Sequence, residues 1–429
     1  MVKHPIHRAF HTLSQKYGPI FALRFGYQPV LVVSSASAAE ECFTKNDIIF
    51  ANRFNSTKTK YLAFNNTLIT VSSYGDHWRN LRRISTLEIL SNHRLNSFLG
   101  IRKDETIRLL QKLADASNKD DFTKVELRPL FADLTFNTVM RMVCGKRYYG
   151  VEEHDETNAE EAGKFRELRK FGEKLDALFQ GLIDEHRKKK ESSDTMLDHL
   201  LSSQQSQPEY YTDQIIKGLI MALIVAGTET SAAALEWAMS RLANHPEVLE
   251  KARIELEKHV GEARLVEETD IPKLHYLQNI VSETLRLNPP VPMLIPHLSS
   301  EDCTVGGYDV PRNTVLMVNA WAIHRDPELW ADPTSFKPER FDNGPVNGHK
   351  LIPFGMGRRA CPGAAMAQRT LGLTLSSLIQ CFEWKRIGEE EVELSEGEGN
   401  IVRKAIPLEL QCKPRQILTN NFLFSLKSL

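Results

Sequence analysis

The chain has 429 residues, of which 41% are hydrophobic and 25% are charged. This composition is that of a soluble globular protein with an ample core, and the length allows one large domain or roughly two or three ordinary ones. The 54 basic and 55 acidic residues give a net charge of −1. Nothing in this balance favours nucleic acid or an acidic surface as a partner.

Cysteine usage and hydropathy limit the compartment and the topology. The six cysteines form no C-x-x-C pair and no disulfide-framework spacing, so a reducing compartment is the simpler interpretation. The longest apolar run, residues 218–227, is about half of the roughly 20 residues that a membrane span needs. We therefore expect no signal peptide and no membrane span, and we interpret this run as a buried helix.

The N-terminal part predicts a helix, a hairpin and a second helix. Residues 1–15 are basic and rich in histidine, and we expect them to be partly helical. Residues 20–34 contain two runs of branched and aromatic residues on either side of a Gly/Pro turn, which is typical of a β-hairpin. Residues 35–44 predict a short helix with a serine cap.

The helix that opens at residues 74–83 carries a candidate anion-binding pair. Trp78 and Arg82 are four residues apart and therefore share one face. An indole N–H beside a guanidinium could hold a carboxylate, but a solvated basic face explains the same two residues, and taken alone they favour that explanation. Helices are predicted to follow over residues 94–116 and 128–143.

Residues 158–191 are predicted to form one amphipathic helix. Apolar residues from Phe165 to Ile183 recur with a period of roughly 3.6 residues. Residues 184–191 end this helix in a charged, solvated run.

Residues 212–243 predict one long helix, apolar nearly all round in its first half, which should cross the protein interior. Its middle reads Ala-Gly-Thr-Glu-Thr-Ser over residues 226–231. A glycine, an acid and three hydroxyls are locally unfavourable in a buried helix, and such conflicts often mark function. A helix–helix contact with hydroxyls bonded back to the helix is the structural alternative.

Two charged surface helices are predicted over residues 245–259 and 274–287. The second carries Glu283 and Arg286, whose spacing makes them neighbours on one face. Taken alone they suggest an ordinary surface ion pair. Extended chain follows at Pro289 and Pro290 and leads to His297, which as a bare residue is most simply a satisfied surface histidine. Short strands are expected within 303–318 and at 405–412.

The segment 353–363, Pro-Phe-Gly-Met-Gly-Arg-Arg-Ala-Cys-Pro-Gly, organises the chain. Cys361 lies among three glycines, two residues after Arg359 and at the mouth of an apolar helix predicted over residues 364–382. Backbone N–H groups there favour the thiolate, and a thiolate in an apolar pocket suits an axial iron ligand. The alternatives are a small buried cysteine and a loose dinucleotide fingerprint at 355–360, which lacks the strand that it requires.

Six fixed positions of residues 354–363, Phe-Gly-x-Gly-x-Arg-x-Cys-x-Gly, resemble the haem-binding signature of the cytochrome P-450 superfamily. Residues 74–83, 226–231 and 336–341 resemble further motifs of that superfamily in the same order, and the likeness runs from about residue 3 to 416. It implies a single catalytic domain over residues 1–429. The implied fold is mainly α with small β-sheets (α+β), with a long central helix over the haem. Finer detail resembles plant family 81, whose members are isoflavone 2′- and 3′-hydroxylase-like.

The resemblance implies a haem b cofactor and assigns a role to each motif residue. Cys361 would be the axial ligand of the haem iron, Thr230 would hydrogen-bond dioxygen, and Glu229 would belong to the proton-delivery path. Glu283, Arg286 and Arg340 would form a buried network that steadies the Cys361 loop. The remaining implied haem-binding residues are Trp78, Arg82, His297, Phe354, Gly355, Arg359 and Gly363.

The same resemblance implies a monooxygenase that uses O₂ and electrons from NADPH–cytochrome reductase, with Arg358 and the surface near Cys361 as candidates for the docking face. The expected substrate is a small lipophilic plant metabolite, such as a flavonoid or isoflavonoid. The expected location is the cytoplasmic face of the endoplasmic reticulum membrane, which follows from the relatives and not from an anchor in this chain.

Three departures from the resemblance leave alternatives open. The chain begins where the anchor helix and hinge of plant relatives have already passed. By comparison with relatives we expect about 30 residues of the substrate roof to be missing near residue 170, and residues 400–403 are less apolar than the pocket turn of relatives. A haem-binding but catalytically impaired variant is one alternative function. The other is a haem-thiolate isomerase or dehydratase, although such relatives usually lose the acid–threonine pair present here as Glu229 and Thr230.

Overall fold

Helices account for most of the chain in the computed structural model, which describes residues 5–54, 63–64, 67–118, 121–149, 165–189, 194–344 and 349–420. The helices before residue 210 are α1 (Ile6–Tyr17), α2 (Ala36–Phe43), α3 (Asp76–Arg83), α4 (Asn92–Ser97), α5 (Leu99–Ala116), α6 (Arg128–Cys144), α7 (Phe165–Lys188) and α8 (Met196–Ser206). The later helices are α9 (Asp213–Gly227), α10 (Glu229–Asn244), α11 (Pro246–His259), α12 (His275–Leu287), α13 (Ala320–Ile323), α14 (Ala364–Cys381) and α15 (Gln416–Asn420).

The strands are short and form small sheets. They are β1 (Ile20–Phe25), β2 (Gln28–Val33), β3 (Thr123–Glu126), β4 (His297–Leu298), β5 (Cys303–Val305), β6 (Tyr308–Val310), β7 (Val315–Val318), β8 (Phe382–Lys385) and β9 (Glu409–Pro414). The largest sheet has the order β1-β2-β7-β4, a second has the order β3-β9-β8, and β5 pairs with β6. The predicted hairpin over residues 20–34 is confirmed, because β1 and β2 pair antiparallel with Ile20 opposite Val33.

The main core surrounds α10, which packs against α6 and α14. Trp237 of α10 is fully buried, and its indole N–H donates to the carbonyl of Val402 at 3.0 Å. The predicted apolar helix behind the cysteine loop is confirmed as α14, where Leu375 and Leu378 are fully buried. The helix that follows the loop is therefore fixed firmly in the core.

The prediction of one continuous helix over residues 212–243 is wrong at one position. Helix α9 ends at Gly227, α10 begins at Glu229, and Thr228 between them has φ −90° and ψ −70°. Thr228 Oγ1 donates to the Ile224 carbonyl at 2.6 Å, and Thr230 Oγ1 donates to the Ala226 carbonyl at 2.6 Å. Hydroxyls that bond back to carbonyls four residues earlier compete with the backbone ladder and bend helices.

Helix α7 covers most of the predicted helix over residues 158–191, of which residues 158–164 and 190–191 lie outside the described residues. Phe179 and Ile183 are buried. Polar contacts tie the helix to the start of α9: Lys217 Nζ lies 2.8 Å from Asp176 Oδ1, and Gln180 Nε2 lies 3.0 Å from an Asp213 oxygen. Phe179 and Ile183 therefore pack inward as predicted, whereas Leu178 of the same predicted face is 50% exposed.

Two other predicted bounds need correction. The helix predicted over residues 94–116 is divided at Phe98 into α4 and α5, and Ser91 caps α4 by accepting the N–H of Arg94 at 3.4 Å. Phe98 is buried at the junction with φ −91° and ψ 9°, which a continuous helix does not permit. The last strand occupies Glu409–Pro414 and not residues 405–412.

One helical segment among the described residues, Asp213–Asn244, is long and apolar enough to cross a membrane by length and composition. It comprises α9 and α10, whose second half forms the core contacts described above. A core helix passes the same test, so the finding is weak support for a span.

Candidate functional site

The Cys361 loop folds back tightly before α14. The Cys361 N–H donates to the Phe354 carbonyl at 2.8 Å, and Gly355 and Gly357 have φ values of 70° and 65°. A Cβ on Gly357 would lie 2.6 Å from the Phe43 carbonyl oxygen, so only glycine fits that position. The loop therefore presents Cys361 at the N-terminal end of α14, as the sequence predicted.

The protonation of Cys361 depends on more than the backbone. Desolvation raises the pKa of the Cys361 thiol, while the Gly363 N–H and the Arg82 guanidinium oppose that effect only in part. The Gly363 N–H acts in the expected direction and favours the thiolate, but desolvation outweighs it. Coordination to a metal ion deprotonates a thiol outright, so a sulfur in this setting is suited to binding a cationic iron.

Arg82 and Trp78 both reach this loop, but in different ways. Arg82 donates to the Ala360 carbonyl, immediately before Cys361. The indole N–H of Trp78 donates to the Ile69 carbonyl at 3.2 Å, and the Trp78 ring lies 4.2 Å from the Arg359 guanidinium carbon. The predicted pair is thus brought together at the loop, although the Trp78 N–H already has a backbone partner.

Arg359 is anchored by three backbone carbonyls. It donates to the Ala51 and Ser72 carbonyls at 2.7 Å each and to the Ile69 carbonyl at 3.2 Å. Burial, together with repulsion from Arg53 and Arg82, lowers the pKa of Arg359 to about 9. The guanidinium groups of these arginines therefore form a cationic cluster beside Cys361.

Arg53 is the member of this cluster that sequence reasoning missed. It is buried and donates to the Ile295 and Pro296 carbonyls at 2.8 and 3.0 Å. Its Nε has no hydrogen-bond partner among the residues that the structure describes, and burial lowers its pKa to about 9. The sequence signal was an arginine set between Phe50 and Phe54, in a stretch that otherwise predicts burial.

His297 is buried, so the interpretation as a surface histidine is wrong. Its Nδ1 lies 2.7 Å from the Phe50 carbonyl, and its ring centroid is 4.9 Å from that of Phe43. Burial and repulsion by Arg53 and Arg359 hold its pKa well below the usual value. A neutral ring that donates through Nδ1 carries no proton on Nε2.

The break between α9 and α10 places Glu229 and Thr230 at the start of α10. The Thr230 hydroxyl is bonded to Ala226, as described above, whereas the Glu229 carboxylate forms an ion pair with Arg403. A Cβ on Gly227 would lie 3.0 Å from Val139 Cγ2, which marks a close contact between α9 and α6. Back-bonded hydroxyls and a helix contact are thus both present, as the structural alternative predicted.

The Glu283–Arg286 pair is a buried network, so the prediction of a surface helix at residues 274–287 is wrong there. Both side chains are 0% exposed, and Arg286 grips Glu283 through two contacts of 2.6 and 2.8 Å. Arg340 Nε joins Glu283 Oε1 at 3.1 Å. The carboxylate also accepts the Lys337 N–H at 2.9 Å, and these partners compensate for the cost of its burial.

His324 links this network to the cysteine loop and was also missed. Its Nδ1 lies 3.1 Å from the Arg286 carbonyl, and its Nε2 accepts the Ile352 N–H at 2.9 Å. The Gly355 N–H in turn donates to the Ile352 carbonyl at 3.0 Å. The side chain of Arg358, predicted as part of a docking face, is held by Asp47 at 2.7 Å and Tyr74 at 2.9 Å.

The family model described as Cytochrome P450 matches residues 1–164 and 161–412. The chain belongs to the cytochrome P450 family. The resemblance stated from the sequence and the predicted fold class are both confirmed. Its cofactor is haem b, and like its family it is a monooxygenase that needs a redox partner, O₂ and a small substrate.

Curated relatives and solved structures agree with this assignment. Cytochrome P450 81E8 of Medicago truncatula is 56% identical over 456 aligned positions, which cover 99% of this chain and 91% of the relative. An isoflavone 2′-hydroxylase of Glycyrrhiza echinata is 51% identical, with 98% of this chain and 90% of the relative covered. A zebra fish cytochrome P450 solved with abiraterone has a TM-score of 0.85 at 27% identity, with 96% of this chain and 100% of that chain covered.

The residues of this P450 fit haem b. The cofactor carries two propionate groups, and buried like charges are costly unless an anion compensates them. Arg53, Arg82 and Arg359 supply the cationic cluster, and the unpartnered Nε of Arg53 is a buried donor in need of an acceptor. The Cys361 sulfur supplies a soft ligand for iron. These residues are therefore suited to bind both the propionates and the iron of the cofactor.

Proposed function

We propose that residues 1–429 form a single P450 catalytic domain in which Cys361 would be the protein ligand of the haem iron. The observation that carries the proposal is the position of Cys361, held by the Phe354 carbonyl at 2.8 Å and by Arg82 at the preceding carbonyl. Phe354, Gly355 and Gly363 shape the loop. Haem b, when bound, supplies the chemistry that activates O₂ and inserts one oxygen atom into a C–H bond.

The cationic cluster would hold the propionates of the haem. Arg82 and Arg359 lie beside Cys361, and Arg53 adds the unpartnered donor. Trp78 would support Arg359 by stacking beneath it. His297 would contribute through Nε2 after a propionate has raised its affinity for a proton, because an opposite charge favours the cationic ring.

Glu229 and Thr230 would serve the proton path at the break between α9 and α10. The Thr230 hydroxyl is bonded across the break to the Ala226 carbonyl of α9, and such a bond can be released where the helix is already interrupted. Glu229 is the adjacent ionisable group. Glu283, Arg286 and Arg340 would act at a distance by fixing the loop through His324.

The substrate would be a small phenolic plant metabolite of the isoflavonoid type. Relatives of this chain include proteins named isoflavone 2′-hydroxylase and isoflavone 3′-hydroxylase, the latter 52% identical. Val225 of α9 and Ile295 beside Arg53 are exposed apolar side chains. Exposed apolar side chains of this kind would suit a flat, lipophilic ring system.

Electrons would come from NADPH–cytochrome reductase, docked on the surface near Cys361. The protein would work at the cytoplasmic face of the endoplasmic reticulum membrane, as expected for a plant P450 of this kind.

The substrate roof would be shortened. The alignment to cytochrome P450 81E8 runs over 456 positions although this chain has 429 residues, and the two family matches meet at residues 161–164. The polar contacts of α7 with α9 would keep the remaining roof in place.

The test is the carbon monoxide difference spectrum of the reduced protein, followed by turnover of isoflavones with reductase and NADPH. We expect a red-shifted Soret band of the thiolate type, which Cys361→Ala abolishes. Cys303→Ala is the matched control, because Cys303 lies in β5, outside the loop, and should leave the band unchanged. A thiolate-type band in Cys361→Ala, or none in the parent protein, would overturn the ligand assignment.

Hydroxylated product that requires both NADPH and reductase supports the monooxygenase. Product formed without either of them would favour an isomerase or dehydratase. A normal thiolate spectrum with no product from any isoflavone would contradict the proposed substrate class, but not the proposed ligand.

A further inference from the structure

The ion pair between Arg403 and Glu229 joins the turn at residues 400–403 to the first residue of α10. The Arg403 side chain is 41% exposed and the Glu229 side chain is 51% exposed, so both remain accessible to solvent within the pair. A free carboxylate with that exposure would sample several side-chain rotamers. The contact between the Arg403 guanidinium and a Glu229 carboxylate oxygen restricts those rotamers.

Hydrogen bonds at residues 402, 403 and 404 hold the backbone that carries Arg403. The Val402 N–H donates to the Pro290 carbonyl at 2.8 Å, and the Val402 carbonyl accepts from the buried Trp237 at 3.0 Å. The Arg403 carbonyl accepts the Gly397 N–H at 2.8 Å. The next carbonyl, that of Lys404, accepts from Arg128 at 2.7 Å. The backbone at Arg403 is therefore well held, in part by Trp237 of α10 itself.

We infer that Arg403 is a positioning residue that holds the Glu229 carboxylate for proton delivery, an inference that rests on the proposed role of Glu229. The departure of residues 400–403 from an apolar turn is then functional in this chain. Arg403 supplies a charge that an apolar turn lacks, and its partner is the acid beside Thr230. Glu229 lies directly after the helix break, and the pair gives its side chain a contact outside its own helix.

The first test measures whether the pair forms in solution. Unfolding of the purified holoprotein is followed for the parent, Arg403→Gln, Glu229→Gln and the double variant at low and high salt. We expect a coupling of roughly twofold to fivefold in the unfolding equilibrium constant, reduced by high salt. Strictly additive effects at low salt would overturn the pairing, and this measurement does not depend on turnover.

The second test measures the hydrogen peroxide released per NADPH oxidised with reductase. Arg403→Gln should raise this ratio roughly threefold or more, whereas Arg403→Lys should stay close to the parent because a cation is retained. In the Glu229→Gln background, Arg403→Gln should have no further effect, because Arg403 acts through Glu229. A structural role for Arg403 would instead give the same effect in both backgrounds and would overturn the inference.

A matched control is Lys103→Gln. Lys103 pairs with Glu267 at 2.7 Å, and these side chains are 47% and 45% exposed, much like those of Arg403 and Glu229. The Lys103→Gln variant should release as much hydrogen peroxide per NADPH as the parent protein. If the proposed function fails, the parent protein lacks the thiolate-type spectrum. If only this inference fails, that spectrum is intact, and the hydrogen peroxide released per NADPH by Arg403→Gln is unchanged or lowered.

Discussion

The Ile352 N–H donates to Nε2 of His324 at 2.9 Å, and this bond connects the buried Glu283 network to the cysteine loop. His324 is fully buried and its Nδ1 lies 3.1 Å from the Arg286 carbonyl. The two bonds require one tautomer, with the proton on Nδ1 and a lone pair on Nε2. A second proton on the ring would face the Ile352 N–H, so the folded protein requires a neutral His324.

This requirement predicts a loss of stability in acid. Burial, with repulsion from Arg325 and Arg286, lowers the pKa of His324 to about 3. Between that value and the unfolded value near 6.5, the unfolded chain binds the proton and the folded chain does not, so stability falls as pH drops through this window. From pH 7.5 to pH 5 the contribution is about 2 kcal/mol.

Unfolding midpoints measured across this pH range check the prediction. His324→Gln can still accept the Ile352 N–H but does not titrate, so it should lose that part of the pH dependence. His259→Gln changes an exposed histidine at the end of α11 and should keep the parent profile. An unchanged profile in His324→Gln would contradict the proposed neutral ring.

Removal of Glu283 should leave little folded holoprotein. Glu283→Ala strands Arg286, Arg340 and the Lys337 N–H without their shared acceptor. Breaking a buried pair by removing one partner costs about 3–5 kcal/mol. Glu257→Ala, which removes an exposed partner of Arg253, should cost less than about 1 kcal/mol. Soluble yield and haem content measure both, and a normal yield for Glu283→Ala would show that the network is dispensable.

Loss of the Thr230 hydroxyl should separate NADPH consumption from product formation. The reason is that Thr230 is the hydroxyl at the helix break beside Glu229, and its only role in the fold among the contacts described is the bond to Ala226. Thr230→Ala should lower product per NADPH roughly tenfold with little change in stability. Thr230→Ser, which keeps a hydroxyl, should retain most of the product formed per NADPH.

Thr228→Ala is the matched control for this change. Thr228 makes the equivalent bond to Ile224 at 2.6 Å but its side chain is buried. The Thr228→Ala variant should change the stability of the protein more than it changes the product formed per NADPH. Equal uncoupling in both variants would mean that the bend, and not the Thr230 hydroxyl, is what matters.

The sequence revealed the parts of the site whose residues are close along the chain. The loop at residues 353–363 and the Glu283–Arg286 spacing are both contiguous patterns. The loop lies before an apolar helix as expected, and the ion pair forms as its spacing predicts, although it is buried and not at the surface. Arg53, His324 and Arg403 were missed because each acts on a segment far away in the chain, at Ile295, Ile352 and Glu229 respectively. Tertiary contacts of this kind leave no periodic trace in the sequence.

The helix break at Thr228 shows a different limit. Apolar periodicity continues across residues 212–243, so it predicts one helix, whereas the side-chain hydroxyls decide the local backbone. The residues that interrupt the helix were visible in the sequence. Their effect was not, because a threonine in a helix can either bond back to it or point toward a neighbour.

Replacement of Arg53 should weaken haem retention without weakening the protein fold. Arg53→Met keeps the apolar length of the side chain but removes a buried cation that repels Arg359 and His297. Relief of that repulsion offsets the two lost bonds to the Ile295 and Pro296 carbonyls, so the unfolding midpoint should change little. Haem transfer to excess apomyoglobin should become roughly tenfold faster, because a propionate loses a charge-assisted partner. Arg24→Met, an exposed arginine in β1, should transfer haem at the parent rate, and a parent-like rate for Arg53→Met would show that the cluster does not hold a propionate through this residue.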